Sequence, residues 1–535
     1  MAVSKSTALT PAHRAALDLM PELAGRAPAP RQFRHRLAWV LTSGAALVLV
    51  LGVVDAGLTV AIRASDQFVH EDVPAAVLPP DELAQFSAWA HAPLAQPLAP
   101  VVLTYHDIQP DPVASPYVVT PDAFARQMAM LQAAGYRSLT AAQFLAYQRG
   151  TYTPPPRTVL ITFDDGTAGL WRYADSVLER YGFTAVSFVI TGRVGTNKPY
   201  YLTWDLIEQM HASGRWDFES HTANLHTRIP VSPGGPLGGA LSHRMYVNGH
   251  LETQAAFETR VRNDLMRSIS DLTSHGLPRP GLFAYPFSDV VAKGVEGTSA
   301  AVPRAIVSQL FPAAFVDVEP GALPASRREV RKQVISRAEV FHKDDERSVF
   351  GRLVQMATLP VSSLDPLTVD RHWFEDGNAH PAPLVVTGDR LTVDAQTETY
   401  VTGAWAPQRT SDWVGYTVSS RIEGLLPDGT TSAGITVRVG SGREIQLRLS
   451  EHALVVSAAD GTVLRVRRLT SASTHVLAVT VGRSFTAVAV DGVTRTYLPS
   501  ATDPSTFGGF GVVFSRHDPT IAFPVFVGLH VSPAS

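Results

Sequence analysis

Apolar positions follow two different spacings through the middle of the chain. Short unbroken apolar runs, such as "VVLTYH" at 101–106 and "TVLITF" at 158–163, are typical of strands that are buried on both faces. Segments with the spacing of an amphipathic helix lie between them, as at 120–135, where Thr120 is expected to cap the helix and Gly135 to end it. This alternation predicts an α/β domain with a parallel sheet or barrel, in which the chemistry collects at the carboxyl ends of the strands.

The pattern changes toward the C-terminus, where the helical spacing disappears. In "REIQLRLSEH", Ile445, Leu447 and Leu449 alternate with polar residues, as in an antiparallel strand with one buried face. Further short strands follow, separated by Asp-Gly and Ser-Gly turns, which is typical of a β-sandwich or jelly roll. We therefore expect an α/β domain over 99–362 and an all-β sandwich over 366–535.

The N-terminal region contains an uncharged apolar run, "LAWVLTSGAALVLVLGVV", at 37–54. As a helix this run would reach about 27 Å, close to the thickness of a hydrocarbon core. Arginines precede it and acidic residues follow, so the positive-inside bias leaves 1–36 in the cytoplasm and the later domains outside the cell. The sequence thus predicts a single membrane anchor over 37–62 and an Ala/Pro-rich stalk over 63–98. A cleaved signal peptide is the alternative, but the polar leader is long for one.

Composition and charge narrow the classes of function. The chain has 535 residues with a formal net charge of −3, so electrostatics gives no case for a nucleic-acid partner. It contains no cysteine, which excludes disulfides, thiolate nucleophiles and zinc sites with cysteine ligands.

Two pairs of polar residues follow predicted strands of the α/β domain. Asp164 and Asp165 end the strand in "TVLITFDDG", and His221 and His226 follow the strand in "WDFESHTANLHT". Two imidazoles and one carboxylate are a common ligand set for a catalytic divalent cation, which would also relieve the repulsion between the aspartates. One aspartate can then be a ligand while the other acts as a general base. Taken singly, the Asp-Asp-Gly stretch is more typical of a turn and the histidines of surface residues, so the hypothesis depends on their conjunction.

The stretches "TFDDG" and "SHTANLH" resemble the first two motifs of the NodB-homology polysaccharide deacetylases, carbohydrate esterase family 4. The resemblance implies a distorted (β/α) barrel and a Zn²⁺-type metal held by Asp165, His221 and His226. It also implies that Asp164 is the general base. The stretch "FAYPFSD" is similar to the third motif, whose proline and aromatic residue line the substrate groove; here they are Pro286 and Phe287.

The opening "LTYHDI" is similar to the branch of this family that deacetylates poly-β-1,6-N-acetylglucosamine, and it would place His106 near the substrate pocket. Other positions depart from the family pattern. Ala284 stands where many members have an arginine that pairs with the base, and Phe287 replaces the usual tyrosine. The general-acid histidine has one rough match, His342 in "VFH", with an exposed loop histidine as the alternative.

These observations favour an extracellular, membrane-tethered hydrolase that removes N-acetyl groups from an N-acetylglucosamine-type polysaccharide, either poly-β-1,6-N-acetylglucosamine or a cell-wall glycan. Two alternatives stay open: a catalytically inactive, glycan-binding surface protein and an O-acetyl carbohydrate esterase. The C-terminal sandwich is similar to concanavalin and laminin-G domains in its strand pattern only. It gives the hypothesis of a glycan-binding module, in which Trp405, Trp413 and Tyr416 either stack on sugar rings or, as we expect, belong to the core.

Overall fold

The computed structural model describes residues 68–93, 98–110, 115–290, 300–318, 321–368, 373–375 and 380–534. The predicted anchor at 37–62 and the cytoplasmic tail at 1–36 lie outside these residues. Within the described part, none of the helices combines the length and the hydropathy that crossing a bilayer requires.

A closed barrel of seven parallel strands forms the first domain. The strand Val101–Tyr105 pairs with Thr158–Phe163 on one side and with Ile335–Glu339 on the other, which closes the ring. An eighth short strand is added beside Thr158–Phe163. In the order in which neighbours pair, the strands are Val101–Tyr105, Ile335–Glu339, Ala313–Asp317, Leu282–Ala284, Trp216–Ser220, Ala185–Val189, Thr158–Phe163 and the added Arg137–Ser138. The sequence therefore predicted the fold class of this domain correctly.

Helices cover the outside of the barrel and follow the caps that the sequence predicts. Thr120 accepts a hydrogen bond from the backbone N–H of Ala123, and Gly135 has a φ of 77°, as the ends of that helix require. The α-helices of this domain are Pro80–His91, Pro121–Ala133, Ala141–Arg149, Asp175–Tyr181, Trp204–Ala212, Gln254–Ser274, Ala301–Leu310 and Glu346–Gln355. A π-helical turn, Leu170–Ala174, precedes Asp175–Tyr181, and short strands outside the barrel are Asp107–Ile108, Val118–Val119, Arg228–Pro230, Leu237–Gly239, Tyr246–Val247 and His250–Leu251.

The described part of the Ala/Pro-rich segment differs from the expected stalk, because it packs against the barrel. Its helix Pro80–His91 buries Phe86 completely, with the ring 4.8 Å from that of Phe350. Ahead of the helix, the ring of His70 lies 2.9 Å from a carboxylate oxygen of Asp175. Alanine and proline dominate the composition, but one large aromatic side chain and a few polar groups are enough to fix the segment on the surface of the domain.

The second domain is a sandwich of two antiparallel sheets that share one apolar core. Ile445, Leu447 and Leu449 point into this core, as their alternation predicts. Trp405, Trp413 and Tyr416 are at most 2% exposed, so they are core residues and do not present a surface for stacking on sugars. One sheet contains His380–Pro381, Trp373–Glu375, Tyr400–Trp405, Phe510–Arg516, Thr431–Val437, Ile445–Leu449, Ala453–Ala458 and Val463–Arg468; the other contains Leu384–Thr387, Arg390–Val393, Val525–Pro533, Tyr416–Glu423, Thr474–Val481, Phe485–Val490 and Val493–Pro499.

The sandwich contacts the barrel at the amino ends of the barrel strands. The buried Arg328 reaches from the barrel into the sandwich, where its Nη1 donates to the carbonyl of Val439 at 2.5 Å. Trp413 Nε1 donates to the carbonyl of Leu359 at 2.8 Å. The loop that carries Arg328 lies below the barrel, because the N–H of Ala325 donates to the carbonyl just before strand Val101–Tyr105. The sandwich therefore lies on the face opposite the carboxyl ends of the strands.

Candidate active site

Two barrel strands deliver the candidate residues to the same edge of the barrel. Strand Thr158–Phe163 ends directly before Asp164 and Asp165, and strand Trp216–Ser220 ends directly before His221. Asp165 has a φ of 72°, a left-handed conformation that a non-glycine residue adopts at a cost of about 1 kcal/mol. Such a strained turn at the end of a buried strand is typical of functional sites.

Asp165, His221 and His226 form a cluster whose ligand atoms all lie within 4.8 Å of one another. Oδ1 of Asp165 lies 3.5 Å from Nε2 of His226 and 3.8 Å from Nε2 of His221, which is too far for hydrogen bonds. This oxygen is buried and has no hydrogen-bond partner in the described structure. The three side chains therefore converge on a common point without satisfying one another.

The hydrogen bonds around the cluster fit a divalent cation. Nδ1 of His221 lies 2.8 Å from the carbonyl of Ala284, and a carbonyl only accepts, so Nδ1 carries the proton. With the proton on Nδ1, the lone pair of Nε2 is the one available to a cation on the side of the aspartates. Burial lowers the pKa of His226 to about 4, against the attraction of Asp165, so the His226 imidazole is neutral at pH 7. Two imidazole lone pairs and one carboxylate are a donor set for zinc or a similar ion.

Asp164 lies beside this cluster, with Oδ2 3.8 Å from Nε2 of His221, and pairs with a buried arginine. The Arg337 guanidinium donates to both oxygens of Asp164, at 2.7 Å each, and also to Asp317 at 3.0 Å. Burial would raise the pKa of Asp164, but the charge of Arg337 outweighs it and holds the pKa well below its usual range. Asp164 is thus an ionised carboxylate whose orientation is fixed by a bidentate pair.

The sequence pattern does not identify Arg337, because Ala284 stands where the family arginine is expected. Ala284 belongs to strand Leu282–Ala284, whereas Arg337 belongs to strand Ile335–Glu339, two places along the ring. The signal was present in "VISRAEV" at 334–340, an apolar run with a charged residue at a position that a barrel strand buries. A buried guanidinium requires hydrogen-bond acceptors for its N–H groups, and both oxygens of Asp164 accept from Arg337.

His106 lies beside the same carboxylates. It follows strand Val101–Tyr105, whose last residue pairs with Phe163, the residue before Asp164. Nδ1 of His106 lies 3.8 Å from a carboxylate oxygen of Glu339. Burial would lower the pKa of His106, but Asp164, Asp165 and Glu339 together outweigh it and raise the pKa. Burial also raises the pKa of Glu339 itself, to about 7. The site therefore contains a histidine that tends to hold a proton.

Pro286 and Phe287, the residues of the third motif, also lie at the carboxyl ends of the barrel strands. Pro286 is buried, and Phe287 follows it with a φ of 58°. The centroid of the Phe287 ring lies 4.5 Å from that of the His226 ring. The Arg228 guanidinium lies 4.2 Å from the same Phe287 centroid. The half-buried Phe287 is therefore fixed against a candidate ligand, a position suited to contact with substrate.

His342 does not join the cluster. Its backbone N–H donates to the carbonyl of Pro116 at 2.8 Å, and the residue is exposed. Among the residues that the structure describes, no hydrogen bond, ion pair or ring contact links its side chain to the groups above. The alternative of an exposed loop histidine describes His342 better than the role of general acid.

Comparison with known proteins agrees with this geometry. Residues 151–301 match the family described as polysaccharide deacetylase. The poly-β-1,6-N-acetyl-D-glucosamine N-deacetylase of Escherichia coli K12 is 24% identical over 212 residues, covering 37% of this chain and 32% of that protein. The protein of the same name from Staphylococcus aureus N315 is 29% identical over 177 residues, covering 32% of this chain and 54% of that protein. A solved de-N-acetylase from Aggregatibacter actinomycetemcomitans aligns with 19% identity and a TM-score of 0.40, covering 47% of this chain and 98% of its own.

The chain therefore contains a domain of the polysaccharide deacetylase family, which is a family of hydrolases. It spans between about a third and a half of the length of these two curated relatives. The matched residues contain Asp164, Asp165, His221 and His226, whereas His106 and Arg337 lie outside them. The barrel thus completes the site with residues from its first and last strands.

Proposed function

We propose that this protein removes N-acetyl groups from a polymer of N-acetylglucosamine with the help of a divalent metal ion. One observation carries the proposal: the donor atoms of Asp165, His221 and His226 converge, while Arg337 holds Asp164 ionised beside them. A ligand set and a separate general base are the two parts that metal-assisted hydrolysis of an amide requires.

Asp165, His221 and His226 would hold the ion, for which we propose Zn²⁺. When bound, such an ion polarises a carbonyl and lowers the pKa of water. Asp164 accepts the proton of the attacking water, and Arg337 keeps both oxygens of this carboxylate in one orientation. Phe287, which packs on His226, bounds the space in which the acetyl group is placed.

His106 is the proton donor that we propose for the leaving amine. An amine leaves slowly unless it is protonated, so the site needs an acid as well as a base. His106 lies at the same level of the barrel as Asp164, and the surrounding carboxylates favour its protonated form. Glu339 faces the ring, with a carboxylate oxygen 3.8 Å from Nδ1 of His106, and adds negative charge there without a hydrogen bond to it. This assignment replaces His342 as the candidate acid.

Arg337 and His106 weigh against the two alternative functions, an inactive glycan-binding protein and an O-acetyl esterase. The reading as an inactive scaffold depended on the missing arginine at Ala284 and the weak acid candidate, and Arg337 and His106 supply both functions. The reading as an O-acetyl esterase depended on the missing acid, because an alcohol leaves more readily than an amine. A site with a protonated histidine beside the base suits the amide.

The substrate that we propose is poly-β-1,6-N-acetylglucosamine, since the two relatives above are named for this polymer. The test is acetate release from β-1,6-linked N-acetylglucosamine pentamers and from acetylated xylan, each with and without chelator. We expect chelator-sensitive release from the pentamers, faster than from xylan. Release from xylan alone would favour the esterase, and no release from either would contradict the proposal.

We also propose that residues 37–62 anchor the chain and that both domains lie outside the cell, where such a polymer is found. The apolar run and the arginines ahead of it support this proposal. Protease added to intact cells should then remove the domains and leave residues 1–36 protected. Equal protection of both parts would contradict it.

A further inference from the structure

A cleft of about 380 Å³ crosses the outer face of the sheet that contains strand Tyr400–Trp405. Val401 and Trp405 point into the core of the sandwich, so Tyr400 and Ala404 point outward into the cleft. Small residues, including Ala404, Thr436 and Gly511, line it alongside larger polar ones. A Cβ at Gly511 would come within 2.6 Å of a backbone carbonyl, so this part of the cleft takes no larger residue.

One aromatic ring stands at the edge of the cleft in a fixed position. Tyr400 is 49% exposed, and its hydroxyl accepts a hydrogen bond from Nε2 of Gln446 at 2.8 Å. An exposed ring beside small residues offers an apolar surface of the size of a pyranose ring, and the amide and Thr436 offer groups for sugar hydroxyls. The buried Trp405, Trp413 and Tyr416 offer no such surface.

A carboxylate completes the lining. Oε1 of Glu444 accepts hydrogen bonds from the backbone N–H groups of Gly440, at 2.9 Å, and Gly442, at 3.2 Å. These bonds fix the carboxylate, and the part of the chain that the structure describes pairs no cation with it. A fixed carboxylate without a cation, in a cleft that also suits a sugar ring, is complementary to an amino sugar with its ammonium group.

We propose that this cleft binds a segment of hexosamine polymer that carries free amines, which is the product of deacetylation. The proposal rests on the function proposed above. Tyr400 stacks on a sugar ring, Gln446 and Thr436 contact hydroxyls, and Glu444 pairs with an ammonium group. The cleft also has a fixed position relative to the barrel, because Val439 lines it and accepts the hydrogen bond from Arg328.

The position of the cleft suits it to retaining the enzyme on its polymer. The sandwich contacts the barrel at the amino ends of its strands, and the candidate active site lies at the carboxyl ends. A polymer segment in the cleft is therefore a different segment from the one in the active site. The cleft would keep the enzyme on chains that it has already partly deacetylated, without taking part in the reaction.

The test is calorimetric titration of the full chain with β-1,6-linked glucosamine pentamer and with its N-acetylated counterpart. The variants are Tyr400→Ala, Tyr400→Phe and Glu444→Gln, with Tyr497→Ala as a control because it removes a tyrosine of similar exposure, 58%, from the other sheet. We expect Tyr400→Ala to weaken binding of the glucosamine pentamer about tenfold, and Tyr400→Phe and Tyr497→Ala to retain it. Glu444→Gln should abolish the preference for the amine form. The rate of acetate release from the N-acetylated pentamer should stay unchanged in all four variants.

Equal binding by the Tyr400→Ala and Tyr497→Ala proteins, or an unchanged preference for amines in Glu444→Gln, would overturn the proposal, as would no binding by the unmodified chain. If Tyr400→Ala lowers the melting temperature, the comparison of Glu444→Gln with the unmodified chain decides the matter. The two proposals fail separately: a chain that releases no acetate but binds the amine pentamer through Tyr400 lacks only the proposed activity.

Discussion

The guanidinium of Arg337 donates one hydrogen bond to each oxygen of Asp164, and both donor–acceptor distances are 2.7 Å. Both side chains are buried, so each charge compensates much of the cost of burying the other. The pair fixes the orientation of the carboxylate, whose Oδ2 lies 3.8 Å from Nε2 of His221. In the proposed mechanism, this orientation makes Asp164 ready to accept a proton before substrate binds.

Replacement of Arg337 by Lys should therefore lower kcat more than it changes KM. Lysine keeps the charge but cannot form the bidentate pair, so Asp164 loses its fixed orientation. We expect kcat to fall about 100-fold, with bound metal retained, measured by acetate release and by elemental analysis. The exposed Arg347 provides a control, and Arg347→Lys should leave both quantities unchanged. Loss of metal in Arg337→Lys would show that the pair supports the ligands and not the base.

Asp164→Asn and His221→Ala should separate the base from the ligand set. Asparagine at position 164 removes the base but none of the three ligands, so we expect metal to be retained while turnover falls at least about 100-fold. Alanine at position 221 removes one of three ligands, so both metal and turnover should be lost. Elemental analysis of the purified variants, alongside acetate release, checks both. A His221→Ala protein that keeps its metal and full activity would show that the ligand assignment is wrong.

His106→Ala and His342→Ala should differ in their effect on amide hydrolysis. Loss of the proton donor should lower acetate release from N-acetylglucosamine pentamers about 100-fold in His106→Ala, whereas His342→Ala should behave as the unmodified chain. The readout that distinguishes an acid from a structural residue is an aryl acetate, whose leaving group needs no proton. On this ester, His106→Ala should lose far less activity. Equal losses on both substrates would assign His106 a positioning role instead.

The sequence predicted that Asp165, His221 and His226 lie together but did not predict the contacts of Arg337 and Glu339, and the difference has a physical cause. Asp165 and His221 both come within two residues of the end of a buried strand, and in a parallel barrel those strand ends lie at the same edge. Arg337 lies in a strand that the sequence analysis did not recognise, and its role depends on which strands close the barrel. His106 was expected near the pocket, but its relation to Glu339 also required the closing pair.

Stretches judged from composition alone were predicted less well. The segment 63–98 is rich in alanine and proline, and this composition suggested a spacer. Phe86 within it is nevertheless completely buried in the core of the barrel domain. Conversely, the alternation in the sandwich located its core correctly, because a period of two determines which side chains of a strand share a face. Periodicity therefore predicted burial, whereas composition did not.

Asp175→Asn should destabilise the barrel domain in a manner that depends on pH. Asp175 is 1% exposed and accepts hydrogen bonds from Arg215, from Trp216 and from the ring of His70. Burial would raise the pKa of Asp175, but these partners outweigh it and lower the pKa. The carboxylate therefore contributes stability that is present above its unfolded pKa of about 3.9 and is lost as the pH falls through the folded value.

At pH 7 the free energy of unfolding should fall by about 3 kcal/mol in Asp175→Asn, because the partly buried Arg215 then keeps only the exposed Glu179 as an ion-pair partner. The difference from the unmodified chain should narrow below about pH 4, where Asp175 in the unfolded chain is already protonated. Thermal unfolding at several pH values measures this, and Asp72→Asn, an exposed member of a surface ion pair, is the control. A difference that is constant with pH would show that the effect is one of packing.

Arg328→Ala should uncouple the two domains while leaving the chemistry intact. The side chain is 1% exposed and donates to the carbonyls of Val439, at 2.5 Å, and Phe507, at 3.3 Å, so its removal leaves two buried carbonyls of the sandwich with fewer donors. We expect calorimetry to resolve separate transitions for the barrel and the sandwich, with unchanged kcat on pentamers, since the contact lies on the face opposite the candidate active site. The neighbouring Arg327 also contacts the sandwich, through Asp412, but its side chain is half exposed, so Arg327→Ala should change the melting much less than Arg328→Ala does. Loss of kcat in Arg328→Ala without a change in melting would instead show that the contact between the domains influences the candidate active site at the opposite end of the barrel.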